Sequence, residues 1–308
     1  MKKFDYDPLT LLMPPALEAM LTQGRLVHSL NIEGDRGTGR RELAIAVAGA
    51  ILCRSGKGRM CGVCDQCQKV LLGAHSDITL LDGSSDTYRK DSIRRLRGEA
   101  YQKPSEGCAK VTIFLDAQLL SAEVQNLLLK VVEEPPENTY FIFTCDNRYR
   151  LLSTILSRVV TVHTLPVPRQ KALAFLEERA GDKPQGQREH ALELADGSPG
   201  LALEILTDPA CAKRWDAAQK VVEALAKRNA CDVMAAMVPL EKQRADYSKL
   251  LQAVGAMLMN RKYIFALGMP HHRAVRLREA VTRLQEYCDS NGYPALLSAL
   301  LAEYGKTI

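Results

Sequence analysis

The stretch Gly34-Asp35-Arg36-Gly37-Thr38-Gly39-Arg40-Arg41 decides how this chain is read. Before it, residues 25–33 (RLVHSLNIE) carry apolar Leu26, Val27, Leu30 and Ile32, as a buried strand does. After it, residues 42–52 (ELAIAVAGAIL) are rich in Ala, Leu and Ile, which favours a helix. Strand, glycine-rich loop, helix is the context that a phosphate-binding loop requires. A working Walker A loop reads GxxxxGK[ST]. Its backbone N–H groups cradle phosphates, its Lys reaches the β- and γ-phosphates, and its hydroxyl binds Mg²⁺. Gly34, Gly37 and Gly39 keep the glycine spacing, but Arg40 stands at the Lys position and Arg41 at the Ser/Thr position. Arg40 can still pair with a phosphate, although a planar fork is not a compact ammonium. Arg41 offers no oxygen to a metal.

A second strand shows a matching loss. Residues 111–116 (VTIFLD) are β-branched and aromatic and end in Asp116, the strongest strand signal in the chain. A Walker B strand ends in Asp-Glu, where the Asp serves the metal and the Glu polarises water. Here Leu115-Asp116-Ala117-Gln118 keeps the Asp and lacks the carboxylate after it. Three groups that a P-loop ATPase uses are therefore missing together, and the loop predicts a chain that does not hydrolyse nucleotide. A glycine turn unrelated to any P-loop is the plainer alternative that these residues leave open.

The remaining pattern extends the strand–helix alternation. Residues 78–82 (ITLLD), 139–145 (TYFIFTC) and 159–163 (VVTVH) read as strands. Residues 91–103 read as an amphipathic helix with Ile93, Leu96 and Ala100 at helical spacing. SAEVQNLLLKVVEEPP is a helix capped by Ser121 and stopped by Pro135 and Pro136, and LLSTILSR is a short helix. Continuous apolar strands alternating with helices predict a parallel α/β sheet covered on both faces. Past Pro166 and Pro168 the strands cease. Residues 169–205 give a few helices around GSPG, and from about 209 the pattern is helical, with Leu250, Leu251, Val254, Met257 and Leu258 on one face and Leu277, Val281, Leu284 and Cys288 on another. The expected fold class is α/β plus all-α: an α/β domain over 1–165, a small helical domain over 166–207 and a helical domain over 208–308.

Nine cysteines are present, and Cys53, Cys61, Cys64 and Cys67 crowd into one segment between a helix and the next strand. The other five are scattered and read as reduced thiols. Cys53-x7-Cys61-x2-Cys64-x2-Cys67 supplies the four soft thiolates that a tetrahedral Zn²⁺ takes, and a closed four-thiolate site is structural, with no open position for water. A redox CxxC and unliganded thiols are the alternatives. His75 lies close by but reads as a turn or core histidine.

With 308 residues, 46% hydrophobic and 25% charged, the composition is that of a globular chain with ample core, and its +5 net charge permits a nucleic-acid partner without requiring one. No apolar run reaches membrane-span length, and MKKFDYDPLTLLMPP has no uninterrupted signal-peptide core, so the expected location is cytoplasmic.

Together these segments resemble the bacterial clamp-loader family of AAA+ subunits in DNA polymerase III. The resemblance covers about residues 15–205: LEAMLTQGRLVHSLNIEGDRGTGRRELA, CGVCDQC, DSIRRL, DAQLLSAEVQNLLLKVVEEPPENTYFIF, TILSRV and DGSPGLAL. NLLLKVVEEPP followed by TILSR is the specific part. The resemblance implies a AAA+ module with a zinc knuckle, a helical lid and a C-terminal collar that joins a five-subunit ring. The family's gamma/tau motor subunits keep GK[ST] and Asp-Glu, whereas its stator subunit has usually lost them, so Arg40, Arg41 and Ala117 place this chain on the stator side. The resemblance also implies an arginine finger. The family's Ser-Arg-Cys motif reaches the ATP of an adjacent motor subunit, and Ser157-Arg158-Val159 stands in its place with the Arg kept.

The implied partners are gamma/tau, the delta wrench subunit, the sliding clamp and primed DNA, with structural Zn²⁺ and no ATP of its own. Such a chain is a component of the polymerase holoenzyme, and nothing in it suggests nucleotidyl transfer. Three departures stand out: a first cysteine gap of seven where the family has eight, Ala74-His75-Ser76-Asp77 where relatives have His-Pro-Asp, and Val159 for Cys. Thr144 occupies a sensor-like position. Arg94, Arg95 and Arg97 form a basic face that reads as solvated rather than DNA-bound. An active motor with Arg40 in the Lys role is the rival reading. A free-standing zinc nucleic-acid-binding protein is a third, opposed by the modest charge and the lack of an aromatic-basic strip.

Overall fold

In the computed structural model, residues 13–83, 88–238, 244–290 and 292–307 are described. The first twelve residues, part of the stretch inspected for a leader, lie outside that set. Two compact units divide the chain between Val167 and Pro168.

The first unit begins with α1 (Pro15–Thr22) and continues through β1 (Ser29–Glu33), α2 (Arg40–Leu52), α3 (Asp65–Leu72), β2 (Ile78–Asp82) and α4 (Lys90–Ala100). It is completed by β3 (Lys110–Leu115), α5 (Ala122–Glu133), β4 (Thr139–Cys145), α6 (Ser153–Leu156) and β5 (Val160–His163). The five strands form one sheet in the order β2-β3-β4-β1-β5, and every pairing is parallel. The expected parallel α/β architecture is observed. β1 is shorter than the stretch read from Arg25, because the Arg25 N–H closes the end of α1 on Met20 O at 2.8 Å instead of joining the ladder.

Alternation along β3 shows why such a strand must be covered on both faces. Val111, Ile113 and Leu115 pack with α2 residues Leu43 and Val47, while Phe114 points to the other face with Ile93 and Leu96 of α4 and Val124 and Leu128 of α5. On that second face Phe114 stacks on Phe143 of β4, ring centroids 4.7 Å apart and nearly parallel. Ile93, Leu96 and Ala100 are the buried residues of α4, as their spacing predicts. Ser121 caps α5 by accepting from Val124 N at 3.3 Å.

The second unit is helical throughout its described residues: α7 (Arg169–Arg179), α8 (Gln185–Leu194), α9 (Pro199–Thr207), α10 (Pro209–Ala226), α11 (Ala230–Met237), α12 (Arg244–Met259), α13 (Arg261–Ala266), α14 (His271–Ser290) and α15 (Pro294–Thr307). Its core gathers Leu250, Leu251, Val254, Met257 and Leu258 of α12 with Leu277, Val281, Leu284 and Cys288 of α14, the two faces read from sequence. Residues 239–243, within the stretch expected to be helical, lie outside the described set. No helix among the described residues is long and apolar enough to cross a membrane.

Candidate functional site

Open parallel sheets bind ligands in the crevice beyond their strand C-termini, and the glycine loop lies there, between β1 and α2. Gly37 (φ +77°) and Gly39 (φ +83°) adopt left-handed backbone that L side chains avoid, and Leu43 N bonds to Gly39 O at 2.8 Å to start α2. Gly34 packs against Thr164, and an added Cβ would lie 2.0 Å from Thr164 Oγ1. Thr164 also meets Thr38 Oγ1 at 3.0 Å, bracing the loop from the chain that follows β5.

Both substituted positions of the loop carry ion pairs. Arg40 Nη2 lies 3.1 Å from Asp116 Oδ1, and Arg41 Nη1 lies 3.3 Å from Asp82 Oδ2 at the end of β2. The Arg40 side chain is 11% exposed and that of Asp116 36%, so the first pair is partly withdrawn from water. A charged hydrogen bond in such a setting contributes about 1.5–3 kcal/mol. Gln118 Nε2 donates to the same Asp116 oxygen at 3.2 Å. Asp116 leaves β3 with a left-handed backbone (φ +52°), and its N–H donates to Thr144 Oγ1 at 3.0 Å. Thr144 is buried and serves the backbone of Asp116. Ala117, which follows Asp116, is completely buried.

Cys53, Cys61, Cys64 and Cys67 form the second constellation. Cys53 follows the end of α2, Cys64 caps α3, and Cys67 lies in its first turn. Their four sulfurs all lie within 4.8 Å of one another, and Cys61 Sγ is 3.9 Å from Cys67 Sγ. With Zn–S bonds of about 2.3 Å, a tetrahedral site needs sulfur separations of about 3.8 Å, so the donor set fits. Cys64 N and Cys67 N point at Cys61 Sγ and Cys64 Sγ, each at 3.4 Å, the disposition that steadies thiolates. Burial raises the Cys53 thiol, but hydrogen bonds from Ser55 and Cys61 outweigh it and bring it down to about 6. Burial dominates at Cys67 and pushes it up to about 12. The shortened gap before Cys61 does not keep Cys53 from the cluster.

His75 stands apart from those sulfurs. Its Nδ1 accepts from Asp77 N at 3.1 Å, which leaves Nε2–H to donate to Gln66 Oε1 at 2.6 Å. It is a buried turn histidine, in keeping with its reading from sequence.

Arg158 lies just past α6, beside the start of β5, and is exposed. Its Nη2 donates to Glu133 Oε1 at 2.9 Å, and its Nη1 donates to Thr154 O at 2.9 Å and Ser157 Oγ at 3.0 Å. On α4, Arg94 pairs with Asp91 at 3.3 Å on an exposed face.

Sequence reasoning passed over Asp82, Glu133 and Thr164. Asp82 ends a parallel strand at the loop's own edge, a position where any carboxylate merits notice. Glu133 and Thr164 carry no comparable signal in the sequence.

The family model described as DNA polymerase III, delta subunit, matches residues 13–168, just over half of the chain. DNA polymerase III subunit delta' of Escherichia coli (strain K12) is 33% identical over 213 residues, covering 68% of this chain and 62% of the relative. Subunit tau of the same organism is 33% identical over 202 residues, covering 64% of this chain and 31% of the relative. The match thus spans less than two thirds of either relative's length. A solved structure of a DNA polymerase III gamma subunit-related protein from Thermotoga maritima aligns with a TM-score of 0.49 at 16% identity, over 94% of this chain and 98% of that one. The segment matched by the family model contains the paired loop, the four cysteines and Arg158, and on that match the chain belongs to the DNA polymerase III delta-subunit family.

Proposed function

We propose that this chain is the non-hydrolysing stator of a DNA polymerase III clamp loader. In this reading it assembles with gamma/tau motor subunits and the delta subunit in a hetero-pentamer. It supplies Arg158 to the ATP of a neighbouring motor while the ring-shaped clamp is opened and placed on primed DNA. Residues 166–207 serve as the lid and 208–308 as the collar. The observation that carries the reading is the Arg40–Asp116 pair, which holds the carboxylate a catalytic Mg²⁺ would need. The rival motor reading asks Arg40 to grip phosphate and Asp116 to hold metal, which requires breaking that pair.

Arg158 acts by charge. A guanidinium delivered in trans stabilises the negative charge that builds on the transferring γ-phosphoryl group, worth about 10³–10⁵ in rate. An exposed position just past a short helix suits a residue that must reach another subunit. Cys53, Cys61, Cys64 and Cys67 would hold a Zn²⁺. Bound there, the ion supplies no chemistry beyond cross-linking α2 to α3, because four thiolates close its coordination.

The test is ATP hydrolysis by a reconstituted loader, stimulated by clamp and DNA, with Arg158→Ala at equal assembly. The expected result is a fall of about a hundredfold at the site facing this chain. Unchanged hydrolysis would remove the finger and leave only the assembly role.

A further inference from the structure

We propose that Glu133 is a positioning residue that keeps Arg158 docked on its own domain until a nucleotide phosphate on the neighbouring subunit displaces it. The inference rests on the trans-finger reading and adds to it a control of when the finger acts.

The geometry has three parts. Glu133 is the last residue of α5, and its carboxylate takes Arg158 Nη2 at 2.9 Å. A carboxylate at a helix C-terminus sits against the negative end of the helix dipole, so it gains from a cation beside it. Thr154 O, within the four-residue helix α6, takes Arg158 Nη1 at 2.9 Å, and Ser157 Oγ takes the same nitrogen at 3.0 Å. Three acceptors from two elements thus fix the guanidinium, while its side chain remains 33% exposed. Nε–H and the second Nη2–H take no part in these contacts.

The docked arginine is charge-compensated and anchored, and it stays within reach of solvent. The Glu133 contact is a single-oxygen contact with an exposed carboxylate, which is a weak hold. A nucleotide phosphate bears more charge and offers several oxygens to a planar fork, which is the stronger partner. Exchange from Glu133 to phosphate therefore runs downhill once an ATP is presented, and the latch opposes non-productive excursions before that. No covalent step is involved: the Arg158 hydrogen bonds to Glu133, Thr154 O and Ser157 Oγ are exchanged for bonds to phosphate oxygens.

The experiment uses the reconstituted loader, with ATP hydrolysis measured without clamp or DNA and again with both. Wild type is compared with Glu133→Gln, Glu133→Asp and Arg158→Ala, each at equal assembly by size-exclusion chromatography. Arg158→Ala sets the floor from which the trans site's share is counted. Glu133→Gln keeps the shape and removes the charge. It is expected to raise the unstimulated share about two- to fivefold, the range of an exposed ion pair, and to leave the stimulated share within about twofold. Glu133→Asp, which keeps the charge, is expected to stay closer to wild type. If Arg158→Ala changes neither rate, the finger fails and the latch falls with it. If Arg158→Ala lowers the rates but Glu133→Gln leaves the ratio of the two states unchanged, the finger stands and the latch alone is overturned. An equal loss in both states for Glu133→Gln also overturns the latch, because it makes Glu133 a support of the active geometry.

Discussion

Arg40 and Asp116 sit 76 residues apart in sequence and 3.1 Å apart in the fold, and the contact joins the residue after the glycine loop to the carboxylate that follows β3. Each group answers the electrostatic need of the other. The nearly buried guanidinium gains an anion, and the half-buried carboxylate gains a cation.

Asp116→Asn should therefore act on stability rather than on nucleotide affinity. Removing the charge leaves Arg40 with a neutral acceptor in a partly dry site, at a cost of about 1–3 kcal/mol in a denaturant titration. Mg-ATP affinity of the isolated chain should not change. A loss of Mg-ATP binding in Asp116→Asn would show that Asp116 holds a metal after all.

Protein purified under reducing conditions without chelator should carry about one zinc per chain by elemental analysis, and Cys67→Ser should abolish it. Cys67 is fully buried among the four sulfurs, so this change strikes the centre of the site. The sheet has its own apolar core, which predicts a locally opened knuckle in a chain that still folds. Full zinc content in Cys67→Ser would exclude the four-thiolate site.

Asp77 ties the knuckle side of the sheet to the loop before β3. Its carboxylate accepts from Ser105 N, Glu106 N and Gly107 N at 2.6, 2.9 and 2.7 Å. Burial works against the charged form, but these three N–H groups outweigh it and hold the carboxyl below its ordinary range. The unfolded chain then binds the proton more readily than the folded one. The contribution is complete above the usual aspartate range near 4 and is lost as pH falls through the lower folded value. Asp77→Asn should cost about 1–3 kcal/mol at neutral pH and flatten the acid limb of the stability profile. An unchanged acid limb in the variant would assign that slope to other carboxylates.

Arg273 staples the helical unit from within. It is 5% exposed, and its guanidinium donates to Leu225 O at 2.8 Å, Gly305 O at 2.9 Å and Ala226 O at 3.3 Å. The carbonyls of α10 and α15 that it reaches lie in their last turns, where a cation also meets the negative ends of both helices. Arg273→Met keeps much of the volume and strands these carbonyls, for an expected loss of about 2–4 kcal/mol. A change below about half a kcal/mol would mean that water satisfies them equally well.

Much of this protein is local, and local order is written in spacing. Ile93, Leu96 and Ala100 recur at helical intervals and are the buried face of α4, because a helix turns every 3.6 residues whatever surrounds it. VTIFLD needs cover on both faces for its apolar residues, so a parallel sheet between helices was implied before any strand was placed. The two CxxC turns bring three sulfurs together by themselves, and the glycines of the loop announce its left-handed backbone.

The strand order β2-β3-β4-β1-β5 decided the rest. It brings the ends of β1, β2 and β3 to one edge, and only there do Arg40 and Arg41 meet Asp116 and Asp82, across 76 and 41 residues of chain. Folding of α2 against the knuckle delivers Cys53 to the other three sulfurs. The meeting of Glu133 with Arg158, 25 residues further on, depends on how α5 and α6 pack behind the sheet. No periodicity encodes such pairs. They arise from burial, which places the elements, and, for the nearly buried Arg40, from the need for an opposite charge.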